Sequence, residues 1–196
     1  PMLDFYDRKA VFQKASEILM GSGYSRAGFE SYSLPNDPLT KSMQEKKAVY
    51  NSLGTQKGEA TNFIAVGSSA HGVLNDKYYF QNFYEQDLYR KALKEGRFPI
   101  YRGLKIKPDD VIRREVIRHI RTFFNIEFDF FDKKYPHKFK DYFQKELINL
   151  KSMENDGLLK INENNVVLTP LGEHFSPQIA NVFDVYNDQE FYKRAL

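Results

Sequence analysis

Three groups of residues in this chain have the types and spacing to do chemistry. The first is a pair of glycine-rich stretches, Asn51 to Gly58 and Gly67 to Gly72, on either side of a short apolar run. Glycines and small polar residues at a strand end let backbone N–H groups approach an anionic ligand, and the same residues also build bulges and turns. The second is a basic stripe, Arg114, Arg118 and Arg121 at i, i+4 and i+7, with Arg113 and His119 beside it. Such a stripe can meet nucleic acid or an anionic cofactor. Asp109 and Asp110 stand four residues before Arg113 and Arg114, which favours a solvated face laced with its own ion pairs. The third is Gly21 to Gly28, whose glycines have roughly dinucleotide-site spacing. It follows a helical pattern and precedes an extended one, the reverse of the order such a site requires, so it reads as a helix C-cap. His71, His119, His137 and His174 form no i, i+4 pair and no metal-ligand spacing, so no metal site is expected.

These residues need elements to hold them. Val11, Phe12, Ala15, Ile18 and Leu19 make an apolar stripe on a helix from Asp7 to Leu19, stopped by Gly21 and Gly23. Tyr24 to Leu34 reads as extended, then a polar helix runs from Leu39 to Lys47. An apolar strand follows over Asn62 to Val66, and Val73 to Phe80 turns at Asn75-Asp76. A helix over Phe83 to Glu95 and a strand over Tyr101 to Ile106 complete the first half. A helix-first opening lacks the strand that a strand–helix–strand unit needs, so the chain is expected to begin partway through a larger domain.

At Lys107-Pro108-Asp109-Asp110 the pattern restarts, with Pro in the first turn and acids where the helix dipole favours them. The helix should run to about Phe124 with Ile112, Val116, Ile120 and Phe123 inward. A second runs from Lys138 to Met153, a hairpin from Leu158 to Leu168 turns at Glu163-Asn164, and a last helix runs from Ser176 through Phe183 to Tyr186. Helix, helix, two-stranded wing, helix is a winged-helix outline. Its second helix carries Asp141, Glu146 and Glu154 among its lysines, which argues against nucleic acid as a partner. The expected architecture is α+β, with residues 1–106 and 107–196 as its two parts.

Composition narrows the field. At 196 residues the chain can bury roughly 70% of its unfolded surface, enough for a folded core. A net charge of +3 is too small to demand a polyanion partner, and no apolar run approaches the roughly 20 residues of a membrane span, so a cytoplasmic protein is expected. There is no cysteine, which removes thiolate nucleophiles, disulfides and Cys-ligated zinc or iron–sulfur centres from the chemistry this chain can supply.

A series of short runs in order resembles the C-terminal part of the oxygen-independent coproporphyrinogen III oxidases. It includes Ser22-Gly23-Tyr24 with Gly28-Phe29 and Leu34-Pro35, Tyr50 to Gly58, and Val66 to Ala70. It continues through Tyr101-Arg102-Gly103-Leu104, Asp109-Asp110, Ile112-Arg113-Arg114, Asp141-Tyr142-Phe143, Asp156-Gly157-Leu158, Thr169-Pro170 with Gly172, and Phe183-Asp184 with Tyr186. The resemblance implies a radical S-adenosylmethionine enzyme of haem biosynthesis, whose Cys-bound four-iron cluster lies in an upstream barrel. By that resemblance this chain is the last helix–strand part of an incomplete β/α barrel followed by a winged-helix-like, mostly helical domain. It would wall the pocket for coproporphyrinogen III, or another tetrapyrrole, against the missing N-terminal barrel, and be inactive alone for want of cluster ligands. A second S-adenosylmethionine would be contacted by Tyr50, Asn51 and His71. Arg102, Arg113 and Arg114 would either pair with propionate carboxylates or hold the two parts together. Several positions differ from the family pattern: Ser31-Tyr32 for His-Phe, His71 for Ile, Thr122 for Cys, and Pro177-Gln178 for Arg-Asn. Haem chaperones and haem-degrading enzymes share the architecture and form the alternative reading, with a winged-helix nucleic-acid binder behind them.

Overall fold

A computed structural model describes residues 4–51, 54–58, 62–64 and 66–187. The chain packs as two compact units, one built from residues 1–58 and 116–196 and the other from residues 59–115. Every strand pair among the described residues is antiparallel. None of the described helices is long and apolar enough to cross a membrane.

The first unit opens with α1 (Phe5–Gly21), capped by the Asp4 carboxylate, which accepts from the Asp7 N–H at 2.8 Å. The Ser22 N–H closes its other end and Gly23 follows with φ +88°, so the Gly21 to Gly28 segment begins as a helix cap, as its position after a helix requires. The expected apolar stripe of α1 is mostly not buried: Val11 and Ile18 are 57% and 58% exposed. The extended segment expected over Tyr24 to Leu34 is two short strands, β1 (Ser25–Arg26) and β2 (Tyr32–Ser33), folded back on each other. Pro38 at the first turn and Asp37 as cap start α2 (Pro38–Gln44). The glycine-rich stretch after it is a hairpin of β3 (Val49–Asn51) and β4 (Gly54–Gln56).

In the second unit the described residues of the apolar run Asn62 to Val66 do not form the expected strand. Phe63 makes one bridge to Val73, while Ile64 and Val66 stand 77% and 86% exposed. The sheet is β5 (His71–Leu74), β6 (Tyr78–Asn82) and β7 (Ile100–Lys105), with α3 (Gln86–Lys94) between the last two. Asn75, Asp76 and Lys77 turn β5 into β6: Asn75 and Asp76 take left-handed φ of 51° and 50°, the Lys77 N–H donates to the Leu74 carbonyl at 2.9 Å, and Leu74 pairs with Tyr78.

α4 (Pro108–Phe123) starts in the second unit and ends in the first, where Val116 and Ile120 are fully buried and Phe123 half-buried. β8 (Asn125–Glu127), absent from the sequence reading, joins the anticipated hairpin of β9 (Leu159–Ile161) and β10 (Asn165–Leu168) in the order β8-β10-β9. α5 (Phe128–Lys134) also went unanticipated. The single helix expected over Lys138 to Met153 is split into α6 (Phe139–Tyr142) and α7 (Gln144–Asn155) at Phe143, which serves the core instead. The Phe128 and Phe139 rings stack at 4.7 Å, Phe139 meets Phe143 at 4.8 Å, and Phe143 meets Phe183 edge-on at 5.3 Å, an aromatic ladder through the interior. Thr169 caps α8 (Pro170–His174), and α9 (Ser176–Asn181) stops short of the expected Tyr186.

Candidate functional site

In the first unit the candidate residue Tyr50 is the hub of a small polar cluster. Its hydroxyl donates to Glu30 Oε1 at 3.0 Å and accepts from Arg121, whose guanidinium lies 4.4 Å from the Tyr50 ring centroid and 4.7 Å from that of Phe29. An arginine held between two ring faces is a cation–π clamp, and it fixes the tyrosine by both ring and hydroxyl. Burial pushes the Tyr50 hydroxyl above its usual pKa, with Glu30 adding to the shift and Arg121 opposing it, so the proton needed for the Glu30 bond stays in place. The Arg121 Nε is buried with no hydrogen-bond partner among the described residues. Asn51 is the next residue on β3, and successive strand side chains leave on opposite faces, so Tyr50 and Asn51 serve different sides of the hairpin.

His71 belongs to the second unit. It lies opposite Gln81, and Gln81 lies opposite Arg102, so the three side chains form one row on one face of the sheet. The Gln81 amide nitrogen donates to the Ser69 carbonyl at 3.0 Å, and its oxygen accepts from Arg102 Nε at 2.9 Å. Arg102 is thereby oriented, and the ends of its fork remain exposed for a bidentate acceptor. On the other face Phe80 covers Gly72 so closely that a Cβ there would stand 2.2 Å from its ring, which is why the row is carried on a glycine-backed strand.

Arg113 and Arg114 share α4 with different partners. Arg113 Nε contacts Asp109 at 2.8 Å, the expected i, i+4 pair. Arg114 does not pair with Asp110, whose carboxylate accepts instead from the Lys107 N–H at 2.7 Å. Arg114 reaches Asp76 at 3.1 Å and the Tyr79 hydroxyl at 3.3 Å. Burial works against its charge, but Tyr79 and Asp76 outweigh that and hold its proton more tightly than usual. The basic stripe is therefore not a solvated face: Arg114, Arg118 and Arg121 are all half-buried, and two of them grip tyrosines.

The sequence reading missed Glu30 and Gln81, and it held Phe29 only as part of the Gly28-Phe29 resemblance. Arg121 was visible in the stripe, but nothing local links it to a tyrosine 71 positions away. Among the described residues no group of three or more His, Asp and Glu is placed to hold a metal ion. His119 sits among Phe123, Phe130 and Phe131, His137 stacks on Tyr142, and His174 meets Phe12 edge-on.

The comparisons with known proteins speak first to class. Residues 106–173 match the family described as HemN C-terminal domain. The chain has the mixed helix and strand fold of a solved structure from Escherichia coli, described as coproporphyrinogen III oxidase (HemN), a radical SAM enzyme. The match has a TM-score of 0.84 and 27% identity, and covers 94% of this chain and 42% of that one. In particular, the chain is similar to oxygen-independent coproporphyrinogen III oxidases. It is 28% identical to those of Helicobacter pylori and E. coli K12 over 92% of its length, and 29% identical to that of Synechocystis over 97%. It spans about two-fifths of those relatives, 39% to 42% of their length.

Proposed function

We propose that the chain is the C-terminal part of an oxygen-independent coproporphyrinogen III oxidase. That enzyme works in the cytoplasm and converts two propionates of coproporphyrinogen III to vinyls. The observation that carries this reading is the fold match over 94% of the chain to the E. coli coproporphyrinogen III oxidase (HemN). The family match beginning at residue 106 supports a division into barrel end (1–106) and a winged-helix-like C-terminal domain (107–196). Apolar side chains left exposed in the second unit, Val66 at 86% and Phe98 at 85% among them, suit a surface that more polypeptide covers.

The cluster such enzymes use has no ligand here, because the chain has no cysteine, so no step is assigned to it on these residues. When bound, S-adenosylmethionine with that cluster supplies the radical. This chain's share is to position: Tyr50 and Asn51 from the β3–β4 hairpin and His71 from β5 for a second S-adenosylmethionine, and arginines for propionates. Arg102 is the arginine best prepared for a carboxylate, since Gln81 orients it and leaves its fork exposed. Arg113 and Arg114 already have carboxylate partners and hold structure as well.

The test uses the complete gene product, reconstituted anaerobically with iron and sulfide and given S-adenosylmethionine, a reductant and coproporphyrinogen III. Vinyl product is expected, and Arg102→Gln should lower turnover roughly 10- to 100-fold, the worth of a charged hydrogen bond of about 1.5–3 kcal/mol. A cluster-loaded protein that makes no vinyl product overturns the reading, and haem binding without turnover would place it with the haem chaperones instead.

A further inference from the structure

The first unit holds a pocket that the proposed reaction does not use. It has a volume of about 280 Å³ and lies between α1 and the α8–α9 corner. Its walls are rings: Phe12 stacks on Phe29 at 6.1 Å between centroids, and His174 stands edge-on to Phe12 at 5.7 Å. Its rim is basic. Arg8 and Lys9 precede Phe12 by four and three residues on α1, so they share its face of the helix, and Gln178 closes the far side from α9. Among the described residues no carboxylate lines it, and that of Glu173, beside His174, is held by Arg26 at 2.8 Å.

Two cations without an anion favour a negatively charged group, and walls of rings favour a flat apolar body. The volume falls just below the roughly 300–1,000 Å³ of sites for drug-sized ligands, which leaves room for one or two fused rings and excludes a tetrapyrrole. We propose that this pocket binds a one- or two-ring aromatic carboxylate, its ring against Phe12, Phe29 and His174 and its carboxylate toward Arg8 and Lys9. The site does not rest on the tetrapyrrole reading, since Arg8, Lys9, Phe12 and His174 have no part in it and Phe29 enters the Tyr50 cluster only through Arg121.

The test titrates this chain with 2-naphthoate and with neutral 2-naphthamide, following binding by calorimetry and the His174 ring protons by NMR. Saturable one-to-one binding of 2-naphthoate is expected, at least tenfold tighter than 2-naphthamide, with the His174 protons shifted by the ligand ring. The double variant Arg8→Gln/Lys9→Gln, on exposed and half-exposed positions, should keep its circular dichroism and lose the preference for the acid. Equal binding of the two compounds, binding that leaves the His174 protons unmoved, or no saturation in the millimolar range would each overturn the proposal.

Discussion

Arg121 shows how one side chain decides the state of another. Clamped between Phe29 and Tyr50, it accounts for the orientation of Tyr50, and the tyrosine hydroxyl in turn satisfies both Arg121 and Glu30. Tyr50→Phe keeps the ring and removes that shared oxygen, leaving two charged groups short of a partner. Urea denaturation should show a loss of about 1–3 kcal/mol. His174 makes a different prediction. Burial, then the nearby Arg26 and Lys9, hold its pKa below the ordinary 6.5. Between that lowered value and 6.5 the unfolded chain binds the proton and the folded one does not, so this contribution is present above 6.5 and lost as pH falls through the folded value. Thermal midpoints of the wild type should therefore drop more steeply than those of His174→Phe as pH is lowered through this window, and parallel curves would refute the assignment.

At the scale of elements, close approaches and ion pairs fix how segments join. A Cβ on Gly172 would stand 1.7 Å from the Leu158 carbonyl oxygen, so α8 can lie against the residue that leads into β9 only with glycine there. Gly172→Ala must push backbone apart and should destabilise by about 1–3 kcal/mol or more, read from its denaturation midpoint. Arg114 ties α4 to the β5–β6 turn through Asp76, with Arg114 only 14% exposed. A double-mutant cycle on Arg114 and Asp76 should give a coupling of about 0.5–3 kcal/mol. The same cycle on Arg113 and Asp109, an i, i+4 pair within one helix, should give about 0.3–0.5 kcal/mol.

At the scale of the whole molecule, the two units differ in how much apolar surface they bury. Among the described residues the buried apolar side chains of the second unit are Val73, Ala92 and Ile106, whereas the first unit has the phenylalanine ladder with Ile120, Ile126, Leu150, Val166 and Ile179. Local opening follows buried contact, so amides of β5–β7 should exchange at least about tenfold faster than those of β10 and the C-terminal half of α4. Uniform protection across both units would contradict that difference.

Much of this was legible in the chain itself. The helices at α1, α3 and α4, the Asn75-Asp76 turn and the β9–β10 hairpin follow from periodicity, caps and turn residues, which are local and act wherever the chain goes. The ordered short motifs pointed to the relatives to which the chain is similar, and the absence of cysteine removes thiolate ligands from the chemistry these residues can supply. Other features waited for the tertiary structure because their causes lie far away in sequence. The apolar run at Asn62 to Val66 has strand composition, but among its described residues only Phe63 forms a bridge, and the Lys138 to Met153 helix breaks where Phe143 turns into the core. Tyr50 with Arg121 and Arg114 with Asp76 are joined across 71 and 38 positions, distances at which spacing carries no signal. The row of His71, Gln81 and Arg102 exists only because three strands fall into one register, which side-chain packing and turn geometry decide together.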